Sequence, residues 1–417
     1  LASGASQTGF GRTGTVDWDT TPKTATFSAV SGNGYFVNTT AGVITVNLPA
    51  GVAGAIVSLA DYAATWQTNN VTVAPNGTDK IGSLNENATL DVEGQSVTFV
   101  YVDSTQGWIN TMDSTSNVRG LPPFVEATGG TITCSGDYKI HTFTGPGTFT
   151  VTNAGTPAGS NTVDYLVVAG GGGGGGSVSG TGGGAGGGGA GGYRESSGVA
   201  SGSYTVSPLG ACVSALPVTA SPYPITVGGG GGGNSASPGT DGSNSVFSTI
   251  TSTGGGGAGS RGPSDPDGDG RPGGSGGGAG HGTTGSPHPG GTGNTPPVSP
   301  PQGQNAANFP SGGYYAGGGG GAGAAATNAN GANGATSSIN ATPTARAGGG
   351  GGASSSGAGT GGTGGGGNGD SGNGVTAPSG TSNTGGGGGG SGNASSSPNI
   401  PGGAGGSGIV IIRYKFQ

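Results

Sequence analysis

Charge is scarce in this sequence. Only 7% of its 417 residues are charged, and 11 basic against 18 acidic residues leave a net charge of −7, which gives no basic footprint for a nucleic-acid partner. Apolar residues are scarce too, at 29%, so a conventional core cannot fill the chain. Low charge together with low hydrophobicity also departs from the disordered signature, which pairs low hydrophobicity with high charge. No apolar run approaches the about 18 residues of a membrane-spanning helix, so no membrane insertion is expected. No signal-peptide pattern stands at the start, and no helical period lasts beyond about two turns. Cys134 and Cys212 are the only cysteines, too few for a disulfide framework or for a zinc site of about four ligands. One Cys134–Cys212 bridge and two unpaired thiols both stay open. The three histidines form no Ser/Asp or carboxylate constellation at a motif spacing, and no glycine run reads Gly-x-x-x-x-Gly-Lys-Ser/Thr. An enzyme is therefore not expected. Because the chain opens on Leu1 and not on Met, we expect a fragment or a processed product.

What is abundant is glycine, at 108 residues. Runs fall at 170–176, 186–189, 228–233, 254–257, 317–321, 348–352, 364–367 and 385–390. Glycine loses the most backbone freedom on ordering, so composition alone favours a flexible linker. Linkers, however, are monotonous and polar. These runs are separated by segments carrying aromatics and prolines, and the whole stretch is bracketed by apolar strands, Tyr-Leu-Val-Val-Ala at 165–169 and Ile-Val-Ile-Ile-Arg-Tyr at 409–414. A run in the polyproline-II conformation rises about 3.1 Å per residue with three residues per turn, so seven glycines span roughly 22 Å. Its N–H and C=O groups point outward in three directions. Laid side by side, such rods bond backbone to backbone, and only glycine allows the approach. The irregular spacing excludes collagen. We expect a stack of polyglycine-II rods, anchored by pairing of 165–169 and 409–414 with each other or with a hairpin over 138–151.

Function is expected in the segments between runs, because a rigid scaffold fixes the position of loops that tolerate change. Three are long: 193–224, 281–315 and 322–347. Aromatics beside Ser, Asn and Gly make a recognition surface, and the candidates for it are Tyr193, Tyr204, His281, His288, Phe309 and Tyr315. Of these, Tyr193, His288 and Phe309 are expected to be exposed, whereas Tyr223, Phe247 and Tyr314 are read as covers over the glycine layers. Asp265, Asp267 and Asp269 alternate before Gly270, as in the first half of a calcium loop. Gly276 stands where such a loop needs its bidentate glutamate. A weak calcium site completed from elsewhere and a solvated acidic turn between Arg261 and Arg271 are the two readings.

Ahead of the glycine region, alternation at Ala25, Phe27 and Ala29 and at Ile44, Val46 and Leu48 marks half-buried strands. Further strands are expected over 35–38, 55–60, 71–74, 96–102 and 107–111. Turns fall at 31–34, 49–51 and 76–77. Asp61, Asp79 and Asp103 read as turn residues. The organisation expected is an extended attachment lead (1–23), a small β-sandwich (24–118), a linker (119–136) and a glycine-rich domain (137–417). The fold class is mainly β, with a polyglycine-II sandwich closed by short terminal strands and essentially no α-helix.

The order Tyr-Leu-Val-Val-Ala-(Gly)n, Tyr-Pro-Ile-Thr-Val-Gly-Gly (223–229), Ser-Val-Phe (245–247), Gly-Gly-Tyr-Tyr-Ala-Gly-Gly (312–318) and the terminal Ile-Val-Ile-Ile-Arg-Tyr resembles the glycine-rich domain of phage tail-fibre adhesins over about residues 137–415. The stretch 34–50, the Asp-Tyr-Ala-Ala-Thr-Trp box at 61–66, Thr-Asn-Asn-Val-Thr-Val at 68–73 and Val-Tyr-Val-Asp-Ser-Thr-Gln-Gly-Trp at 100–108 resemble a β-module of marine phage, above all cyanophage, tail-fibre and structural proteins. The resemblance implies a non-catalytic virion appendage that binds a host surface glycan or outer-membrane protein through loops on the array. It also implies other virion tail proteins as partners, a homotrimer, and an extracellular virion location. The alternative is a structural decoration or surface-filament subunit whose arrays pack chain to chain.

Overall fold

Ile44, Val46 and Leu48 are buried with polar residues between them, the pattern of a strand with one face on a core. In a computed structural model the chain is described over residues 16–114, 124–157, 159–178, 183–202, 204–210, 212–261, 267–281, 287–309, 315–354, 357–372, 375–393 and 399–417. It divides into two units, Leu1–Gly120 and Leu121–Gln417, and it is mainly β, with one short 3-10 turn at Pro208–Gly210 among the described residues.

The first unit is a sandwich of a five-stranded and a four-stranded sheet. Its opening strands alternate between the two sheets. Asp17–Lys23, Asn33–Val37 and Ile56–Asp61 run parallel in one; Phe27–Ser28, Ile44–Asn47 and Val71–Ala74 run parallel in the other. Three more strands, Ala88–Leu90, Ser96–Asp103 and Gly107–Ser114, close it in antiparallel fashion. Trp66 and Trp108 are completely buried in its core. The carboxylates hold backbone. Asp61 accepts from the N–H groups of Thr65, Trp66 and Gly94 at 3.0–3.3 Å, Asp79 from Gly51 at 2.8 Å, and Asp103 from Thr105 and Gln106 at 2.8 Å. Residues 17–23, expected in an extended lead ahead of the sandwich, are extended and pair in parallel with 33–37 as its edge strand. Residues 1–15 lie outside the described residues.

The second unit begins earlier than the sequence suggests. Val125–Thr128 and Thr131–Ser135, placed in a linker from sequence, are strands paired with Gly147–Ala154 and Tyr138–Phe143. The C-terminal strand Ile409–Lys415 lies between Tyr138–Phe143 and Thr162–Val168, antiparallel to both. The proposed anchor pairing therefore exists in both of its forms. One face of this sheet meets a second sheet over Phe149, Tyr165, Phe247, Val410, Ile412 and Tyr414. The other face carries Ile140, Leu166, Ile411 and Tyr193.

From this sheet the glycine rods extend. The N–H groups of residues 170, 173 and 176 donate to the carbonyls of Ser243, Thr240 and Ser237, those of 171, 174 and 177 to Gly406, Gly403 and Ile400, and those of 172 and 175 to Gly189 and Gly186, all at 2.8–3.1 Å. Every set steps by three along both partners, the period of polyproline II. The carbonyls of 170, 173 and 176 accept from Gly255, Ala258 and Arg261, those of 172 and 175 from Gly388 and Ser391, and that of 171 from Gly231. One rod thus donates to three neighbours and accepts from three others, so most of the backbone polar groups that it buries are satisfied by the array. A Cβ on Gly173 would stand 2.1 Å from the Gly232 carbonyl oxygen, and one on Gly174 would stand 1.9 Å from that of Gly389. No side chain fits there.

Candidate functional site

The rods begin or end on two faces. At the base they join the sheet, where the Ala169 N–H donates to Gly192 and the Gly385 N–H to Ser407. At the opposite end, the tip, β-bridges link Ser177 with Arg261 and Ile400, His288 with Phe309, and Tyr315 with Ser354. Four of the six candidate recognition residues, His281, His288, Phe309 and Tyr315, fall at this tip.

Their exposure differs from expectation. Phe309 is 1% exposed, with its ring 4.8 Å from that of His281. His288 is buried, and its Nδ1 lies 2.8 Å from Asp269 Oδ1. Tyr315 is 51% exposed beside a groove of about 300 Å³. Arg261 is buried next to Gly183 and His281, and burial holds its pKa below the usual guanidinium value. Asp267 contributes its backbone carbonyl to the Ser260 N–H at 2.8 Å. Asp265 lies outside the described residues, as does Tyr314. Among the described residues no three His, Cys, Asp or Glu side chains come together as a metal cluster.

The other two candidates sit at the base. Tyr193, expected exposed, is 1% exposed and donates its hydroxyl to Glu195 Oε2 at 3.1 Å. It lies on the strand Tyr193–Glu195, which pairs with Thr162–Val168 and so turns the ring into the interior. Glu195 also accepts from the Ser207 N–H at 3.0 Å and from the Ser337 hydroxyl. Burial outweighs these bonds and raises its pKa. Tyr204 is half-buried, with the Arg413 guanidinium 5.3 Å from its ring centre and 4.6 Å from that of Tyr138. Next to it, Asp164 takes the Ser196 hydroxyl at 2.7 Å and the Ser201 N–H and hydroxyl at 2.7 and 2.6 Å. These groups brace the base. Cys134 and Cys212 are both exposed free thiols, so the disulfide is not formed. Tyr223 is half-buried and Phe247 fully buried, both in the core between the sheets and not over glycine layers.

Parts of two of the long segments read as loops are rods. Within 281–315, Gly291 donates to Gly277, Ala306 to Gly291 and Ala307 to Gly318; within 322–347, Gly331 donates to Thr360 and Ala332 to Gly319. Non-glycine residues are tolerated because an outer rod turns one residue in three away from the array. Asparagine then adds an edge of its own. Asn305 and Asn308 accept from the N–H groups of Gly293 and Gly290, Asn330 and Asn333 from Thr360 and Thr363, and Asp241 and Asn244 from Gly257 and Gly254, at 2.8–3.1 Å. Asx residues three apart were the signal for this edge.

A family model described as a glycine-rich domain matches residues 143–415, more than half of the chain. No curated protein matches it.

Proposed function

The chain belongs to the glycine-rich domain family, and from that premise we propose that it is a non-catalytic attachment protein of the tail-fibre adhesin type, meeting a host surface molecule at the tip of its rod array. The observation that carries this reading is the placement of the tip residues. A backbone-bonded scaffold roughly 22 Å long separates the anchoring sheet from an end where His281, exposed Tyr315 and an open groove are held on rods. Rigid presentation at low entropic cost suits recognition. Many copies on one particle multiply weak contacts into avidity. The N-terminal sandwich is assigned to other virion proteins, in a homotrimer.

Binding of the labelled full chain to intact candidate host cells, competed by unlabelled chain, tests the reading. Saturable, competable binding is expected. A chain that binds no cell infected by its parent particle would exclude it.

One observation favours a structural role instead. The rod at 228–233 lies at the border of the array. A Cβ on its exposed Gly229 would meet nothing within 4 Å, so a further rod could dock there chain to chain. Sedimentation separates the two: concentration-dependent filaments of the purified chain favour the structural role, and a discrete species favours attachment.

A further inference from the structure

We propose that the tip groove beside Tyr315 is a site for a neutral glycan, an inference that rests on the attachment reading and names its ligand class. The groove, of about 300 Å³, is lined by Tyr315, Asn308, Asn328, Asn330, Thr327 and short residues, and none of its lining side chains is charged. That volume is at the lower bound for small-molecule sites, the size for a short sugar segment.

The three asparagines are prepared for donation. Asn308 Oδ1 accepts from the Gly290 N–H at 2.8 Å, Asn328 Oδ1 from the Asn330 N–H at 2.8 Å, and Asn330 Oδ1 from the Thr360 N–H at 2.9 Å. An N–H donor can only be met by the carboxamide oxygen, so each side-chain flip is fixed by the backbone. Each NH₂ group is then left on the other branch with no bond among the described residues, and all three asparagines are exposed. Three oriented donors match an array of hydroxyl and ring oxygens, and little rotamer freedom remains to be lost on binding. Tyr315 supplies the complementary part. Its exposed ring has a negative face on which the weakly positive C–H face of a pyranose can rest, and its hydroxyl can donate or accept. Aromatic platform, amide donors and absence of charge together favour neutral hexose or N-acetylhexosamine units over sialylated, sulfated or phosphorylated ones.

The test is a panel of immobilised neutral oligosaccharides, with sialylated and sulfated ones beside it, probed with the full chain and followed by titration with the best neutral binder. Three variants read the site. Tyr315→Ala removes the platform, and Tyr315→Phe keeps it. Asn328→Asp retains the oxygen on the Asn330 N–H while replacing the NH₂ donor by an acceptor. Tyr315→Ala and Asn328→Asp should each weaken neutral-glycan binding about tenfold or more, with unchanged melting; Tyr315→Phe should keep most of it. Binding confined to charged glycans, or neutral binding that Tyr315→Ala and Asn328→Asp leave intact, overturns the proposal. If the chain binds host cells but no neutral glycan, this inference fails while the attachment reading stands. Binding to neither removes both.

Discussion

His141 Nε2 lies 3.0 Å from the Tyr414 hydroxyl, across 273 positions of sequence, while its Nδ1 lies 2.7 Å from the Gly129 carbonyl. A carbonyl only accepts, so Nδ1 carries the proton and the Tyr414 hydroxyl donates to Nε2. One neutral imidazole thus ties the turn before Thr131–Ser135 to the C-terminal strand, inside a cluster that includes Phe149 at 5.0 Å.

The consequence is acid sensitivity. Burial pushes the His141 pKa below its usual 6.5, so below that pH the unfolded chain takes up a proton that the folded chain refuses. Stability should fall as pH drops from 7 to 5, by at most about 1.4 kcal/mol per pH unit from this group. Melting of His141→Gln should start lower at pH 7 and fall less on acidification; an equal fall in both proteins would refute the assignment.

Glu195 acts with the opposite sign. Its pKa is raised above 4.5 by burial, so the folded chain holds a proton that the unfolded chain releases, and the stability from this site is lost as pH rises above 4.5 through the raised value. Glu195→Gln mimics the protonated form beside Ser207, Ser337 and Tyr193. It should melt above the native chain at pH 7 and match it at pH 4.

Substitutions in the array should divide by position. Gly173→Ala drives a methyl group into the Gly232 carbonyl at 2.1 Å, against backbone that cannot step aside, and should cost about 3 kcal/mol or more. Gly229→Ala meets nothing within 4 Å and should stabilise by about 0.4–1 kcal/mol through the unfolded state. Thermal denaturation of the pair checks both. Equal effects would mean that the rods are not close-packed.

Asn333 tests the edge. Its Oδ1 accepts the Thr363 N–H at 3.1 Å, so Asn333→Ala should lose about 1 kcal/mol and raise amide exchange at Thr363. Asn333→Asp, which keeps the oxygen, should not.

Deleting residues 409–417 removes the strand between Tyr138–Phe143 and Thr162–Val168. The array should unfold with it. An unchanged melting profile would show that the rods stand without their sheet.

Legibility from sequence followed the kind of force involved. Alternation over 44–48 and the apolar runs at 165–168 and 409–414 report side-chain burial directly, and the strands lie there. The glycine runs declared rods because only glycine allows carbonyl contact at that range. What stayed hidden was backbone bonding by residues of ordinary composition. The stretch 328–334 looks like a polar loop, yet it bonds as a rod, with Asn330 and Asn333 three residues apart along its outer edge. Thr131–Ser135 is mostly exposed on its own, and only its partner Tyr138–Phe143 makes it a strand. At the tip Phe309 and His288 turn inward, and an aromatic between prolines and glycines carries no sign in sequence of which face it turns.

A rod of identical residues on a threefold screw looks the same after every residue's step of rotation and rise. Its interior therefore holds no record of which glycine belongs opposite which, much as uniform glycine-rich strands have weak register. Sliding by one residue inside 170–176 would remake each bond with the next carbonyl. What forbids the slide are the substituents: the asparagine pairs 305/308 and 330/333, Asp241 with Asn244, and the alanines at 258 and 279 buried within the rods. The glycines supply cohesion, and these few other residues supply the address.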